Sequence, residues 1–525
     1  MMESLKSYTA RRRQKRWFTW SFIAVLLVYL GFKVDFDFFR LVGGLPDMMG
    51  LFQRMLRPNL AYISEVMEKL FETIQIAIVS SILGMILAIP FSLLVSENIA
   101  PSKFLSKLLT GLFSFFRTIP SLIWAAILVS IFSIGKFSGI VALGIIAFLM
   151  SLKLFREFIE SINENQLNST KSVGASPLQV LRYCVLPYML DLSVSVFFIV
   201  FETNIRSATV LGLVGAGGIG QIMWRDLNHL RYDNLATLIL ILFLTIFLID
   251  LVSLNLRRAL QKSIISFKSM ESYKTYKKAS SFFIPAVFLL IVLLAFGSLD
   301  ITYERLLLGM EQGKQILGRM VHVDFSYYPK LLSGIGESFY IAIFATITGS
   351  FGALVLSFLS AYNTSPAKSV SYFFKAVTNI LRTFPPIITA IIFFRGVGPG
   401  PLAGAMALSL YTSGTLTKMY SEVLESSQSN IQESVLAIGA TRFQSFRYGI
   451  FPQTFPTFIS LALYRLESNI RNSTILGVIG AGGVGTILAM NITWRNWEKV
   501  GLLLLGISLM IITIDRLSSY IRKKI

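Results

Sequence analysis

The chain has 525 residues, 54% hydrophobic and 14% charged, with a mean hydropathy of +0.66. Those values exclude an ordinary soluble globule and fit a helical protein that crosses the membrane many times. The formal charge of +20 does not point to nucleic acid, because Lys and Arg cluster beside apolar runs, as the positive-inside rule requires. One cysteine, Cys184, excludes an internal disulfide and a Cys-based zinc site, and two histidines, His229 and His322, leave little for another metal.

In chain order, Met1 to Arg16 is polar and basic and Trp17 to Phe32 is apolar. No small-x-small cleavage site follows in KVDFDFF, so this reads as an uncleaved first span with a cytoplasmic N-terminus. Lys33 to Glu72 reads as an external segment with some amphipathic helix. Apolar runs at Thr73 to Val95, Leu109 to Ile134, Phe137 to Phe155, Tyr188 to Glu202 and Leu235 to Leu256 bring the crossings to six. Six crossings return the chain to the cytoplasm at the basic stretch Arg257 to Lys278, in agreement with the charge rule. A second series follows: Phe282 to Leu299, an external segment, and runs near Phe339 to Ala361, Ala376 to Phe394, Leu402 to Leu416, Thr454 to Glu467 and Val500 to Ile514, ending on Arg522, Lys523 and Lys524. The expectation is an all-α polytopic membrane protein of about twelve transmembrane helices in a lipid bilayer, both termini cytoplasmic.

The two series are copies. Glu202 to Gly220, ETNIRSATVLGLVGAGGIG, recurs as Glu467 to Gly485, ESNIRNSTILGVIGAGGVG, a shift of 467 − 202 = 265 residues. The same shift takes Glu72 to Glu337, Arg117-Thr118 to Arg382-Thr383, Pro120 to Pro385, Lys153 to Lys418, Gly174-Ala175 to Gly439-Ala440, Pro187 to Pro452 and Asp250 to Asp515. The chain therefore divides into residues 1–71 (tail, first span, external segment), a first repeat 72–260, a basic linker 261–281, a further span with external segment 282–336, and a second repeat 337–525. Like orientation makes this a tandem parallel duplication, which implies a pseudo-dimer with a pathway on its two-fold axis.

Each copy of the opening motif sets Glu and Arg four apart, acid first, an order that suits a helical ion pair. A charge in hydrocarbon costs about 2.5–3.5 kcal/mol on insertion scales, so the pair is expected to face the bundle interior. The planar guanidinium can also donate two hydrogen bonds to an oxyanion. Glu202, Arg206, Ser207 and Thr209 and their counterparts Glu467, Arg471, Asn472, Ser473 and Thr474 are the expected substrate-pathway residues, with helix-to-helix bonding the alternative for the hydroxyls and amide. Gly215-x-Gly217-x-x-Gly220 and Gly480-x-Gly482-x-x-Gly485 match a dinucleotide fingerprint, but between membrane spans they read instead as close helix packing or a broken helix. Arg117 and Arg382, each shortly before a proline, read as snorkelling or as secondary pathway contacts, and Asp250 and Asp515 as partners of basic neighbours.

After the fourth span of each half come NSTKSVGASPLQVLRYCVLP (Asn168 to Pro187) and ESVLAIGATRFQSFRYGIFP (Glu433 to Pro452). Both place a Gly thirteen residues before a Pro, predicting two short helices joined at a glycine turn on the cytoplasmic face. This spacing resembles the coupling motif of ABC importer permeases, E-A-A, three residues, G, nine residues, I-x-L-P. The resemblance makes Gly174, Ala175, Pro187, Glu433, Gly439, Ala440 and Pro452 the ATPase-coupling residues; Asn168 in place of the leading Glu suggests that the two halves dock unequally. R-T-I-P at Arg117, R-T-F-P at Arg382, F-F-R-G-V-G-P-G-P-L-A-G at Phe393 to Gly404 and the two N-I-R glycine segments are similar to the phosphonate permeases of this class.

That resemblance implies a type I ABC importer permease (MetI-like) fold in a prokaryotic inner or plasma membrane. It implies two copies of a cytoplasmic ATPase, which would bind ATP and Mg, and an extracellular or periplasmic substrate-binding protein. The substrate would be a phosphonate, phosphite or phosphate ester, with other small anionic or phosphorylated solutes as the alternative. No catalytic residue, metal or cofactor is expected in this chain. An enzyme lacks support, since no G-x-S-x-G, H-E-x-x-H or G-x-x-x-x-G-K-[ST] occurs. An ion-coupled secondary carrier shares the repeats but has no ATPase to receive the Gly-to-Pro loops.

Overall fold

A computed structural model of the chain describes residues 21–524 apart from 22–23, 56, 263–302, 384, 428–433 and 436. The run Phe282 to Leu299, most of the linker 261–281 and Glu433 therefore lie outside the described residues. Among the described residues there is no strand. The helices are α1 (Ala24–Lys33), α2 (Phe38–Gly43), α3 (Leu45–Met55), α4 (Ile63–Val95), α5 (Lys103–Thr118), α6 (Ser121–Phe132), α7 (Lys136–Glu160), α8 (Glu164–Ser172), α9 (Leu186–Leu211), α10 (Ile219–Asn228) and α11 (Tyr232–Lys262). They continue as α12 (Tyr303–Val321), α13 (Tyr328–Ser360), α14 (Lys368–Thr383), α15 (Pro386–Val397), α16 (Pro401–Glu425), α17 (Phe451–Val478), α18 (Gly483–Thr493) and α19 (Trp497–Lys524).

The bounds of α4, α5, α6 and α7 recur 265 residues on as α13, α14, α15 and α16, so the duplication read from sequence is also a duplication of structure. Six described helices are long and apolar enough to cross a membrane, or nine if each of three bent pairs is one span. α16 repeats the spanning helix α7 with a more polar sequence, and α1 is the described part of the first run. With the run at Phe282 these make up the twelve expected.

Two of the expected spans are not straight. Leu109 to Ile134 and Ala376 to Phe394 are each two helices, α5/α6 and α14/α15, meeting at 87° and 86°. The residue before a proline is driven out of the helical region. Accordingly Ile119 is extended (φ −71°, ψ 119°) and Pro120 follows at φ −59°, ψ 147°, with Pro385 alike at φ −57°, ψ 141°. α5 and α14 are amphipathic, as KFLSKLLTGLFSFF shows, whereas α6 is apolar all round.

By their contacts the residues form two compact units. One comprises the N-terminal part up to Phe52 with Met320–Ile525, the other Gln53–Arg319. In the first, the rings of Tyr29 and Tyr340 stand 6.1 Å apart and those of Phe36 and Phe344 5.7 Å apart, while the Arg40 guanidinium reaches Gly398. In the second, Gly309 and Gly313 of α12 rest against Phe132 and Ile131 of α6. Small residues bring the main helices together in lipid, where the hydrophobic effect does not. A Cβ at Gly84 of α4 would lie 2.5 Å from Ala147 Cβ of α7, and one at Gly349 of α13 would lie 2.8 Å from the Ser409 carbonyl of α16.

Candidate functional site

The glycine segment breaks its helix in both repeats. α9 runs through a 3-10 turn, Gly212–Val214, and α10 starts at Ile219; between them Gly215, Gly217 and Gly218 have φ of 89°, 83° and 72°. Gly480, Gly482 and Gly483 repeat this at 95°, 80° and 77° between α17 and α18. Such angles are open to glycine at little cost. The break folds the next helix onto the one before it: a Cβ at Gly220 would overlap the Thr209 carbonyl, and one at Gly485 the Thr474 carbonyl. Both readings drawn from the sequence, close packing and a broken helix, hold together.

Freed N–H groups at such a break need acceptors, since lipid offers none. In the first repeat Glu72, 8% exposed, accepts from Gly218 N–H at 3.0 Å, and Thr73 Oγ1 accepts from Ile219 N–H at 2.7 Å. Lys69 Nζ holds the other Glu72 oxygen at 2.8 Å. In the second repeat Ser338 Oγ accepts from Val484 N–H at 3.0 Å. These capping side chains were not singled out as site residues from sequence; the matching of Glu72 to Glu337 was the available signal.

The Glu, Asn and Arg of the motif divide between two faces, since residues two apart on a helix point nearly opposite ways. Arg206 Nη2 donates to Glu202 Oε1 at 3.0 Å; Arg471 Nη2 lies 3.7 Å from Glu467 Oε1, whose other oxygen is 3.8 Å from Arg522 of α19. The Arg206 and Arg471 side chains keep 32% and 36% exposure. Arg471 Nε is buried with no hydrogen-bond partner among the described residues. The asparagines turn inward: Asn204 Nδ2 donates to Ser80 and Ser81 Oγ at 3.2 and 2.8 Å, and Asn469 Nδ2 to Thr346 Oγ1 at 2.9 Å while its Oδ1 accepts from Thr412 at 3.0 Å.

Ser207 and Asn472 are half-buried near the arginines in sequence. Thr209, Ser473 and Thr474 are buried, and their hydroxyls donate to the carbonyls of Ile205, Ile470 and Ile470 on their own helices, at 3.2, 2.8 and 3.4 Å. Arg117 is exposed at the end of α5, and Arg382 half-buried at the end of α14. Asp515 is held by further interactions within the chain.

The second constellation is a knuckle in each repeat. α8 ends before Gly174 (φ 81°); Ser176 and Gln179 then form a reciprocal cap, Ser176 N–H to Gln179 Oε1 at 2.7 Å and Gln179 N–H to Ser176 Oγ at 3.4 Å. Gly439 (φ 86°), Thr441 and Gln444 do the same at 2.8 and 3.3 Å. A π-turn, Leu181–Val185 or Phe446–Ile450, then leads into α9 or α17, whose first turns carry the exposed Pro187 and Pro452. Ala175 and Ala440 are half-buried behind the glycines. Large apolar side chains stand exposed at matched places: Val173 and Ile438, Leu178 and Phe443, Tyr183 and Tyr448.

A duplicated bundle of broken membrane helices, each half ending a spanning helix in a glycine break and beginning it at a capped knuckle, defines a transport permease rather than a soluble nucleotide-binding domain. The sequence profile of the binding-protein-dependent transport system inner membrane component matches residues 80–266 and again 353–525. The chain belongs to that family, as a type I ABC importer membrane subunit with two permease copies fused in one polypeptide. The phosphate-import permease protein PhnE of Mycolicibacterium smegmatis is 27% identical over 94% of this chain and 92% of its own length. The phosphite transport system permease protein PtxC of Stutzerimonas stutzeri is 34% identical over 43% of this chain and 82% of its own length. Among solved structures, an inward-facing MetNI methionine ABC transporter is 20% identical, with a TM-score of 0.36, over 38% of this chain and 99% of that one.

Proposed function

We propose that this chain carries a phosphonate or a related phosphorus oxyanion into the cell, driven by separate ATPase subunits that grip the knuckles at Gly174 and Gly439. The observation that carries this reading is the duplicated Glu–Arg pair, Glu202–Arg206 and Glu467–Arg471, half-exposed on the helix that each glycine segment breaks. The carboxylate holds the guanidinium in place, and the remaining N–H groups can meet a passing oxyanion. PhnE and PtxC, named for phosphate and phosphite, support the same substrate class. Val173, Leu178 and Tyr183 with Ile438, Phe443 and Tyr448 offer two equivalent apolar knobs, which suits two equal ATPase subunits on the cytoplasmic side. An external binding protein would deliver the anion.

The test is uptake of radiolabelled phosphate, phosphite and methylphosphonate by cells expressing the whole transport system. Changing Arg206 and Arg471 together to Gln is expected to lower uptake by about tenfold or more, the loss of charged hydrogen bonds to an anion, at unchanged membrane level. Unimpaired uptake removes both residues from the pathway. Uptake into vesicles lacking any ATPase would favour an ion-coupled carrier.

A further inference from the structure

Four matched positions inside the bundle differ in kind between the repeats. The first repeat has Met85, Ile146, Phe155 and Val200; the second has Ser350, Tyr411, Tyr420 and Arg465. Met85, Phe155 and Val200 belong to one apolar core, so the fold at this place does not require polar groups. In the second repeat Arg465 is only 5% exposed. Its guanidinium lies over the Tyr411 ring, 5.1 Å from the centroid, and its Nε and Nη2 have no hydrogen-bond partner among the described residues.

A buried cation without a carboxylate is costly, and the ring satisfies only the face of the guanidinium. The unmet Nε–H and Nη2–H share one edge of the plane, the edge that clasps two oxygens of an oxyanion side by side. A second orphan lies on the facing helix. Asn469 of α17 bonds Thr346 of α13, and one turn further along each helix come Arg465 and Ser350. The Ser350 hydroxyl is buried beside that of Tyr420 without reaching hydrogen-bond geometry, while Tyr420 donates to the Phe458 carbonyl at 3.2 Å.

We propose that the second repeat alone holds a buried oxyanion site, in which the Nε/Nη2 edge of Arg465 clasps a tetrahedral phosphorus oxyanion, Tyr411 backs the guanidinium and Ser350 supplies a further hydroxyl. The site rests on the substrate class proposed above and adds that the two repeats handle the anion unequally. Its occupant is the transported anion. A lipid phosphate is the other source of the same chemistry.

The full-length chain in a glycosidic detergent, which carries no phosphate, separates the two. Its thermal midpoint is expected to rise saturably with inorganic phosphate or methylphosphonate and not with chloride at equal ionic strength. Arg465→Val, which installs the first repeat's side chain, is expected to lose that rise while unfolding at or above the wild-type midpoint without anion, because a buried charge has gone. A midpoint raised by added phospholipid but not by free anion assigns the site to lipid and overturns the proposal. So does an unresponsive wild type, or an Arg465→Val chain that responds in full. In cells, Arg465→Val is expected to cut uptake about tenfold or more, with Arg465→Lys keeping part of it. Should Arg465→Val fail to accumulate, Ser350→Ala in the same midpoint assay decides: a weakened response supports the site and an unchanged one overturns it. Wild-type uptake that persists in Arg465→Val overturns this site and leaves the importer reading standing. Absence of wild-type uptake of any phosphorus oxyanion defeats the reading on which it rests.

Discussion

In the first repeat Arg225 of α10 donates to Glu65 at 2.8 Å, to the Tyr62 hydroxyl at 2.6 Å and to Asp226 at 3.2 Å. The matched positions of the second repeat hold Met490, Lys330, Tyr327 and Asn491, where Asn491 donates to the Tyr327 hydroxyl at 3.1 Å and Lys330 and Lys499 lie over the Tyr327 ring. At Lys69 of the first repeat, which anchors Glu72, the second has Gly334, where a Cβ would lie 3.0 Å from Val484 Cα. A charged brace has thus been exchanged for closer backbone packing on one unchanged scaffold. What the repeats share is main-chain geometry: the glycine break, the proline bend and the capped knuckle. What they do not share is the charge placed on that geometry, so the shared parts read as architecture and the unshared parts as chemistry.

The strongest way to break this comparison is through the shared glycines. Gly220→Val and Gly485→Val would each drive a side chain into a backbone carbonyl, of Thr209 and Thr474, that neither helix can move aside. Overpacking costs 1–3 kcal/mol where side chains can shift; here each variant is expected to lose more than about 3 kcal/mol and to leave little monodisperse protein in detergent. The two losses should match. A chain that tolerates one and not the other would mean that the break is architectural in a single repeat.

The unshared charges predict a smaller and unequal effect. Asp226 is fully buried, with Oδ1 bonded to Arg225 and Oδ2 unpartnered among the described residues, whereas Arg225 and Glu65 are both about two-fifths exposed. Arg225→Met alone, the second repeat's residue, strands a buried carboxylate and is expected to cost about 2–3 kcal/mol. Arg225→Met with Asp226→Asn copies the second repeat at both positions and should fall within about 1 kcal/mol of wild type, because the exposed pair with Glu65 is screened. Thermal midpoints of the single and double variants check the order. A double variant less stable than the single one would show that the brace is not interchangeable with its neutral counterpart.

How far the sequence discloses this molecule follows the same division. The 265-residue shift made the repeats legible, and with them the helix bounds, because identical main-chain requirements left identical Gly and Pro. The bends at Pro120 and Pro385 were foreseeable as interruptions, but an apolar run carries no record of its direction, so Leu109 to Ile134 read as one span. The Glu–Arg pairs followed from helical spacing. Their neighbours did not: Asn204 and Asn469 turn away from them into the bundle, and their partners Ser81 and Thr346 lie 123 residues upstream. Arg465 was overlooked because attention went to what the repeats have in common, and it stands where they differ.

The asparagines give the finest test. Asn204 spends both hydrogen bonds on hydroxyls that already donate to the Ala77 carbonyl, at 3.1 Å for Ser80 and 2.6 Å for Ser81, and its Oδ1 has no partner among the described residues. Removing it strands neither serine hydrogen. Asn469 both donates to Thr346 and accepts from Thr412, so its loss leaves the Thr412 hydroxyl proton in a buried place without that acceptor. Interhelical hydrogen bonds in membranes average about 0.6 kcal/mol and reach about 1.7. Asn204→Ala is therefore expected near the lower figure and Asn469→Ala near the upper, measured as shifts in thermal midpoint of the full chain. Equal shifts would mean that satisfaction of Thr412 carries no weight and that the two bundles are locked by packing alone.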